Sequence, residues 1–315
     1  MLTLRLDGAL LAGAEALEAL VDMAPVDRRD TLLALLAIHD LHTAPIDRLG
    51  DRVQWQHHPA VAALKWRLER QVLAELDEAD AATDWDLPQE PGPAMRALGA
   101  RGLVPEVYDW VADDADHDEL ADFLSFEGGP DGGFDDLVAA CQIGLAGEAK
   151  LELAQNYWDE MGNGELAAVH TELHHRLVAA LGLRGVPRAR QPIEALERSV
   201  LGSLLATNRH LQPEMIGALG LIELQAGPRC RKVVKALNRL DAPADAFPFY
   251  DEHAVADPRH GKDWVDKVVA TLGDDPTWAA GILRGARWRS LVNERFFGAM
   301  ADRFISACEA ERQAS

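Results

Sequence analysis

Apolar residues recur at helical spacing along almost the whole chain, and the alternating runs typical of strands are nearly absent. Between residues 60 and 77 a leucine or valine stands at every fourth position, on one face of a helix: Leu64, Leu68, Val72 and Leu76. Tyrosine, which is common in strands, occurs only three times. The pattern predicts an all-α fold, and 48% hydrophobic residues in a chain of 315 supply enough side chains for a sizeable core.

The segment WDLPQEPGP, from Trp85 to Pro93, is the clearest break in the helical pattern. We therefore predict an N-terminal helical extension over residues 1–92 and a helical bundle over residues 93–315. The extension is expected to pack on the bundle, and a homodimer interface is a further hypothesis for it.

The chain is strongly acidic, with 52 acidic and 31 basic residues and a net charge of −21. Such a surface repels phosphate backbones and anionic lipid headgroups, so we expect neither nucleic acid nor a membrane as a partner. The sequence contains no run of about 18 apolar residues, the length that spans a bilayer, so no transmembrane helix is predicted. Glu15, Glu18 and Asp22 interrupt the N-terminal apolar stretch, unlike a signal peptide. We predict a cytoplasmic protein.

The three cysteines, Cys141, Cys230 and Cys308, are far apart and odd in number. This spacing favours neither a disulfide framework nor a zinc-thiolate site. Each cysteine is expected on an apolar helix face as a small core residue.

His253, Asp257 and His260 form an HxxxDxxH pattern, which places all three side chains on one face of a helix. Two imidazoles and a carboxylate, without sulfur, suit non-haem iron better than zinc or magnesium. Pro258 lies inside the pattern, and we expect it to kink the helix or to end it near Asp257. The spacing also fits histidines that merely cap a helix or face solvent, so both interpretations stay open.

Glu160 and His170 are ten residues apart, a rise of about 15 Å on an unbroken helix, which is too far for one metal ion. Gly162, Asn163 and Gly164 stand between them and permit the left-handed backbone that ends a helix. We therefore expect Glu160 to end one helix and His170 to face inward from the next. A helix C-cap followed by an exposed histidine is the alternative.

Two further glutamates stand in apolar segments of the chain. Glu223 lies within IGALGLIELQAG, and a buried carboxylate is costly unless it is paired or bound to a cation. We therefore favour metal ligation for Glu223. Glu127 follows ADFLSF and is also a candidate ligand, although the glycine-rich loop after it could expose it.

Together these residues resemble the haem-oxygenase-like diiron oxidases and oxygenases, the iron-containing redox enzyme family. The shared features are a histidine–aspartate–histidine triplet, a glutamate and a histidine around a glycine turn, and two further glutamates. The matching residues, in that order, are His253, Asp257, His260, Glu160, His170, Glu127 and Glu223. The resemblance covers roughly residues 100 to 310.

This resemblance implies a haem-oxygenase-like seven-helix bundle that holds two Fe(II) ions per chain and takes O2 as co-substrate. One iron would be held by Glu127, Glu160 and His170. The other would be held by Glu223, His253, Asp257 and His260. Four carboxylates would then balance two Fe(II) ions, which leaves the buried centre formally neutral.

The function we expect is the O2-dependent oxidation of a small amine or amino-acid-like molecule, with an external electron donor. One alternative is oxidative decarboxylation or C–C cleavage of a carboxylic acid by the same fold. Another is a non-catalytic helical protein that binds or stores iron.

Tyr157 and Tyr250 lie near the proposed ligands and are the candidate catalytic side chains, as hydrogen-bond donors or radical sites. Core packing with a satisfied hydroxyl is the alternative role for both tyrosines. Arg229, Arg231 and Lys232 follow Glu223 and could hold a substrate carboxylate. A solvated helix face explains the same three cations without a ligand.

Overall fold

The computed structural model describes residues 1–128 and 133–306, and within these residues it contains helices and no strand. The predicted all-α fold is therefore confirmed. Cys308, expected on an apolar helix face, lies outside the described residues. None of the described helices is both long enough and apolar enough to cross a lipid bilayer.

The α-helices follow one another with short connections. Up to residue 181 they are α1 (Leu2–Ala12), α2 (Ala14–Glu18), α3 (Arg28–Thr43), α4 (Ile46–Leu49), α5 (Pro59–Ala82), α6 (Pro91–Ala100), α7 (Glu106–Asp113), α8 (His117–Glu127), α9 (Phe134–Cys141), α10 (Gly147–Glu160) and α11 (His170–Leu181). Beyond it they are α12 (Ile193–Thr207), α13 (Gln212–Arg239), α14 (Pro248–Asp263), α15 (Ala270–Leu272) and α16 (Pro276–Ala301).

Shorter 3-10 and π-helical segments connect or extend these helices. The 3-10 segments are Gly50–His57, Gly162–Gly164, Leu166–Ala168, Arg188–Arg190, Arg209–Leu211 and Ala244–Ala246. The π-helical segments are Trp264–Val269, between α14 and α15, and Asp302–Ser306, after α16.

The chain forms two compact units. The first contains residues Met1–Asp84 and Pro187–His210, and the second contains Trp85–Val186 and the described residues from Leu211 onwards. All candidate site residues belong to the second unit. The predicted division into an extension over residues 1–92 and a bundle over residues 93–315 stays a prediction.

In the first unit, hydrogen bonds to the carboxylate of Asp30 connect the N-terminal residues to the start of α3. It accepts hydrogen bonds from the backbone N–H groups of Leu2 at 2.7 Å, Thr3 at 3.0 Å and Val26 at 3.1 Å. The Thr3 hydroxyl donates a fourth at 2.8 Å. Because Asp30 is buried, these four donors replace the water that the carboxylate loses on folding.

A second buried network of the first unit links α3, α5 and α12. The two ring nitrogens of His39 each lie 2.8 Å from a partner, Ser203 Oγ and Glu69 Oε1. Glu69 Oε1 also accepts a hydrogen bond from Asn208 Nδ2 at 2.7 Å and lies 2.8 Å from Lys65 Nζ. These contacts satisfy a histidine that has no exposed surface.

In the second unit, α13 is the central helix, and α14 and α16 pack along it. Glycine allows α13 and α14 to approach closely, because a Cβ atom on Gly261 would lie only 2.9 Å from the backbone oxygen of Glu223. This contact brings Glu223 of α13 next to the HxxxDxxH segment of α14. A larger residue at position 261 would push the two helices apart.

Pro258 does not end α14, which continues to Asp263, so the helix end expected near Asp257 is wrong. Proline cannot donate to the carbonyl four residues earlier, that of Ala254. Arg231 Nη1 donates to this carbonyl instead, at 3.0 Å. Gly227 of α13 leaves room for the proline ring, since a Cβ there would lie 2.8 Å from Pro258 Cδ.

Candidate metal centre

The turn after α10 brings Glu160 and His170 together. Gly162 and Asn163 have φ angles of 59° and 52°, in the left-handed region. A Cβ atom on Gly162 would lie 2.6 Å from the backbone nitrogen of Val169, so only glycine fits at this position. His170 is the first residue of α11, and its Nδ1 lies 2.7 Å from Glu160 Oε2. The glycine turn expected from the sequence is present.

The histidines of α14 present different ring nitrogens to the interior. His253 Nδ1 donates to the Phe249 carbonyl at 2.6 Å, which leaves the lone pair on Nε2. His260 Nε2 donates to Asp159 Oδ2 at 3.0 Å, which leaves the lone pair on Nδ1. We assign both tautomers from these partners, because a carbonyl or carboxylate oxygen can only accept. Arg259 Nη2 also lies 3.2 Å from His260 Nε2, but its shorter hydrogen bond, at 2.6 Å, goes to Asp159 Oδ2. Each histidine thus has one nitrogen held and one free to bind a cation.

Five of the seven predicted ligands meet in two overlapping groups of donor atoms. Within each group the atoms all lie within 4.8 Å of one another. The first group is Glu160, His170 and His253, and the second is Glu160, Glu223 and His260. Glu160 therefore belongs to both groups.

The other two predicted ligands lie outside these groups. Asp257 is buried beside the second group, with Oδ1 3.9 Å from His260 Nδ1. Glu127 is half-buried at the end of α8, and its Oε1 accepts a hydrogen bond from the Tyr108 hydroxyl at 2.9 Å.

The grouping differs from the division between two irons that the resemblance implied. That division placed His253 with Glu223, whereas the donor atoms of His253 lie with those of Glu160 and His170. Glu127, expected beside Glu160, belongs to neither donor group, and its Oε1 accepts a hydrogen bond from the Tyr108 hydroxyl. Sequence spacing could not predict this, because the grouping depends on how α10, α11, α13 and α14 cross.

Two carboxylates of the cluster, Glu223 and Asp257, are destabilised in their charged form. Burial, and then repulsion from Glu160, raises the pKa of Glu223 to about 8. Burial raises the pKa of Asp257 well above its usual value, and repulsion from Glu223 and Glu160 adds to the effect. A cation between these groups would remove the repulsion and favour the ionised carboxylates.

The two histidines of the first group have opposite pKa shifts. Burial lowers the pKa of His253 to about 4, so its imidazole is neutral at pH 7, as a metal ligand requires. Burial by itself would also lower the pKa of His170. The contact with the Glu160 carboxylate outweighs it, and the net direction is upward.

Several buried polar atoms of the cluster make no hydrogen bond, and this fits a metal site. They are His170 Nδ1, His260 Nδ1 and Asp257 Oδ2. His170 Nδ1 is only 2.7 Å from Glu160 Oε2, but the angle between the groups is not that of a hydrogen bond. Two ligands at about 2.1 Å from one cation, in perpendicular directions, lie about 3 Å apart. Nitrogen and oxygen donors without sulfur suit iron.

Helix α10 carries two residues that the sequence analysis missed. Asn156 Nδ2 donates to Glu223 Oε1 at 2.7 Å. Asp159 Oδ2 accepts from His260 and from Arg259 Nη2, the latter at 2.6 Å. Their position in the sequence could have identified them, since both residues stand within about one helical turn of Glu160.

Asp135 of α9 is a further carboxylate near the cluster. Its pKa is raised by burial, by repulsion from Asp136 and by repulsion from Glu160. The last effect indicates that Asp135 and Glu160 lie within electrostatic reach of each other. The sequence analysis did not single out Asp135, because its two-acid segment is typical of a helix N-terminus.

The candidate catalytic tyrosines have different surroundings. Tyr250 is buried, and burial, followed by the charge of Glu127, raises the pKa of its phenol well above the usual value. The phenol is therefore protonated at pH 7. Tyr157 is half-buried on α10. A catalytic role for either tyrosine stays a prediction.

The three cations after Glu223 have protein partners. Arg229 is buried and donates to the Leu103 carbonyl at 3.0 Å and to the Gly102 carbonyl at 2.9 Å. Arg231 donates to the Ala254 carbonyl, and Lys232 pairs with Asp109. The alternative of a solvated face is wrong for Arg229, because the side chain binds carbonyls just beyond the end of α6. These partners do not support a role for the three residues in binding a carboxylate.

Comparison with known proteins agrees with the geometry of the cluster. No curated protein matches the chain significantly. A family profile described as iron-containing redox enzyme matches residues 128–294, which is more than half of the chain. The matched region contains both donor groups together with Asp257. The chain therefore belongs to the family of iron-containing redox enzymes.

Proposed function

We propose that the protein is a non-haem diiron oxygenase or oxidase that uses O2 to oxidise a small amine or amino-acid-like molecule. The observation that carries this proposal is the presence of Glu160 in both donor groups. One cation would need only one group, whereas two groups that share a carboxylate suit a pair of cations about 3.5–4 Å apart. Membership of a redox family favours iron for both positions.

In this proposal Glu160 would contribute to both cation positions. His170 and His253 would complete the first position, and Glu223 and His260 would complete the second, with Asp257 beside it. When bound, two Fe(II) ions would supply the electrons that reduce O2. The protein's part is to hold imidazole nitrogens and carboxylate oxygens close together in a largely buried cluster, with hydrogen bonds that orient His253 and His260.

The charge of the site supports a pair of divalent cations. Glu160, Glu223 and Asp257 offset three of the four positive charges of two Fe(II) ions. Glu127, from the ligand set implied by the resemblance, is one candidate for the fourth carboxylate. Asp135 is another, because its charge interacts with that of Glu160.

The choice of an amine as substrate rests on electrostatics. With a net charge of −21 the protein attracts cations and repels carboxylates at long range. Arg231 and Lys232, which could have held a substrate carboxylate, each have a protein partner, the Ala254 carbonyl and the Asp109 carboxylate. An amine protonated at pH 7 therefore fits this protein better than a carboxylic acid.

The test begins with an anaerobic Fe(II) titration, in which we expect two ions per chain. O2 is then added together with amines, amino acids or fatty and aromatic carboxylic acids, and O2 consumption is recorded. Acceleration by amines supports the proposal, and acceleration by carboxylic acids alone assigns the alternative substrate class. Iron binding without O2 consumption in any mixture indicates an iron-binding or storage protein.

Two variants locate the reaction at this cluster. Glu160→Ala and His260→Ala should each abolish O2 consumption while the circular dichroism spectrum stays close to that of the wild type. Glu165→Ala and His175→Ala are matched controls, because both residues are exposed near the same segments. Full activity in either cluster variant removes that residue from the site.

A further inference from the structure

The amide of Asn156 distinguishes the two oxygens of the Glu223 carboxylate. Asn156 lies on α10, one turn before Glu160, and both Asn156 and Glu223 are buried. Asn156 Nδ2 donates to Glu223 Oε1 at 2.7 Å. Glu223 Oε2 points towards the donor group and lies 3.7 Å from His260 Nδ1. Glu223 Oε1 is therefore hydrogen-bonded to Asn156, and Oε2 faces the proposed cation position.

Packing alone does not explain an asparagine at this position. Asn156 Oδ1 is buried and makes no hydrogen bond, and an unsatisfied buried oxygen is unfavourable. Leucine has the same number and branching of side-chain heavy atoms, although its methyl groups are bulkier, and it would leave no buried polar atom unsatisfied. The feature that leucine lacks is the N–H donor directed at Glu223.

We infer that Asn156 is a positioning residue that holds Glu223 as a one-oxygen ligand of the second cation; this rests on the proposed metal centre. A carboxylate binds a metal through one oxygen or through two. The hydrogen bond from Asn156 competes with the second metal–oxygen bond. A coordination position on that cation is thereby left for a small molecule.

Cobalt(II) is the probe, because its visible absorption depends on coordination number and geometry. The whole protein is titrated anaerobically with Co(II) as wild type, Asn156→Leu and Asn238→Leu. Asn238 is the matched control, since it is exposed on α13 and its Nδ2 donates to Val234 of the same helix. The titration yields the stoichiometry, the affinity and the absorption per bound cobalt.

We expect Asn156→Leu to bind Co(II) about ten-fold or more weakly than the wild type. Its absorption per cobalt should fall, because Glu223 can then bind through both oxygens and raise the coordination number. Asn238→Leu should match the wild type in both measurements. A purely structural role for Asn156 would lower thermal stability without changing the spectrum of the bound metal.

The inference is overturned if Asn156→Leu is folded and has the affinity and spectrum of the wild type. If Asn156→Leu loses its helical circular dichroism, Asn156→Ser takes its place. Serine adds no bulk and is too short to reach Glu223. A changed Co(II) affinity and spectrum in Asn156→Ser supports the inference, and unchanged values overturn it. A wild-type protein that binds no Co(II) or Fe(II) overturns the proposed metal centre itself, a result distinct from an unchanged Asn156 variant.

Discussion

Asp159 Oδ2 lies 3.0 Å from His260 Nε2, and this contact joins α10 to α14 at the edge of the cluster. Burial by itself would raise the pKa of Asp159. Hydrogen bonds from Arg259 and His260 outweigh it, and the net shift is downward. An ionised carboxylate behind an imidazole fixes the ring and strengthens it as a ligand.

Asp159→Asn should lower the affinity for Fe(II) by about ten- to one hundred-fold, because a neutral amide oxygen replaces the charged carboxylate that accepts from His260 Nε2. Affinity is measured anaerobically by competition with a coloured chelator, and helical content by circular dichroism. Asp245→Asn, an exposed position before α14, is the control and should match the wild type. Wild-type affinity in Asp159→Asn would show that the charge of Asp159 does not strengthen His260 as a ligand.

Gly261→Ala should destabilise the protein by about 1–3 kcal/mol and weaken metal binding, because a Cβ atom would lie 2.9 Å from the Glu223 backbone oxygen. Chemical denaturation and Fe(II) titration measure the two effects. Gly298→Ala on α16 is the matched control: nothing lies within 4 Å of its Cβ position, and alanine there should be neutral or stabilising. Equal stability of the two variants would contradict the close contact of α13 with α14.

The free energy of unfolding should fall at acidic pH because the carboxylate of Asp30 becomes protonated. Burial alone would raise the pKa of Asp30, but the hydrogen bonds from Thr3, Leu2 and Val26 lower it overall. A group whose pKa is lower in the folded protein stabilises it above the unfolded value of about 4. That contribution is lost as the pH falls through the lower, folded value.

Urea denaturation of wild type and Asp30→Asn between pH 3 and pH 7 tests this expectation. Asp30→Asn should cost about 2 kcal/mol at pH 7, since charged hydrogen bonds are lost. The difference between the two proteins should shrink as the pH approaches 3. A difference that does not depend on pH would show that the Asp30 charge does not stabilise the N-terminus. Asp47→Asn, an exposed residue of α4, serves as control.

Chelation should abolish O2-dependent turnover and leave the helices intact. The second unit has its own apolar core around α13, so folding does not require a cation. Metal at one hundred times its Kd should still stabilise the folded protein by about 2.7 kcal/mol per site. Circular dichroism and thermal melting with and without chelator measure this. A large loss of helical signal on chelation would mean that the metal holds the fold together.

The parts of this protein that follow from local sequence could be predicted. Helical periodicity predicts the fold class because each helix depends on its own spacing of apolar residues. The glycines around Asn163 predict the turn between Glu160 and His170, since the backbone there requires a left-handed conformation. The HxxxDxxH spacing likewise places three side chains on one face of α14.

Features that depend on how helices cross could not be predicted. Asn156 and Glu223 are 67 residues apart, and Asp159 and His260 are 101 residues apart. Pro258 is accommodated inside α14 by Gly227 and Arg231 of α13. The residues next to Pro258 in sequence therefore do not reveal that the helix continues through it. The exclusion of Glu127 from the two donor groups has the same origin, because α8 is far from α13 and α14 in sequence.

The short turn after α10 has a consequence for the order of folding. Glu160 and His170 are joined by a loop of only ten residues, whereas the contact between Asn156 and Glu223 closes one of 67. The entropy of closing the longer loop costs about 2 kcal/mol more. The Glu160–His170 pair can therefore form early, as a local hairpin, and the second donor group assembles only once α13 and α14 have docked.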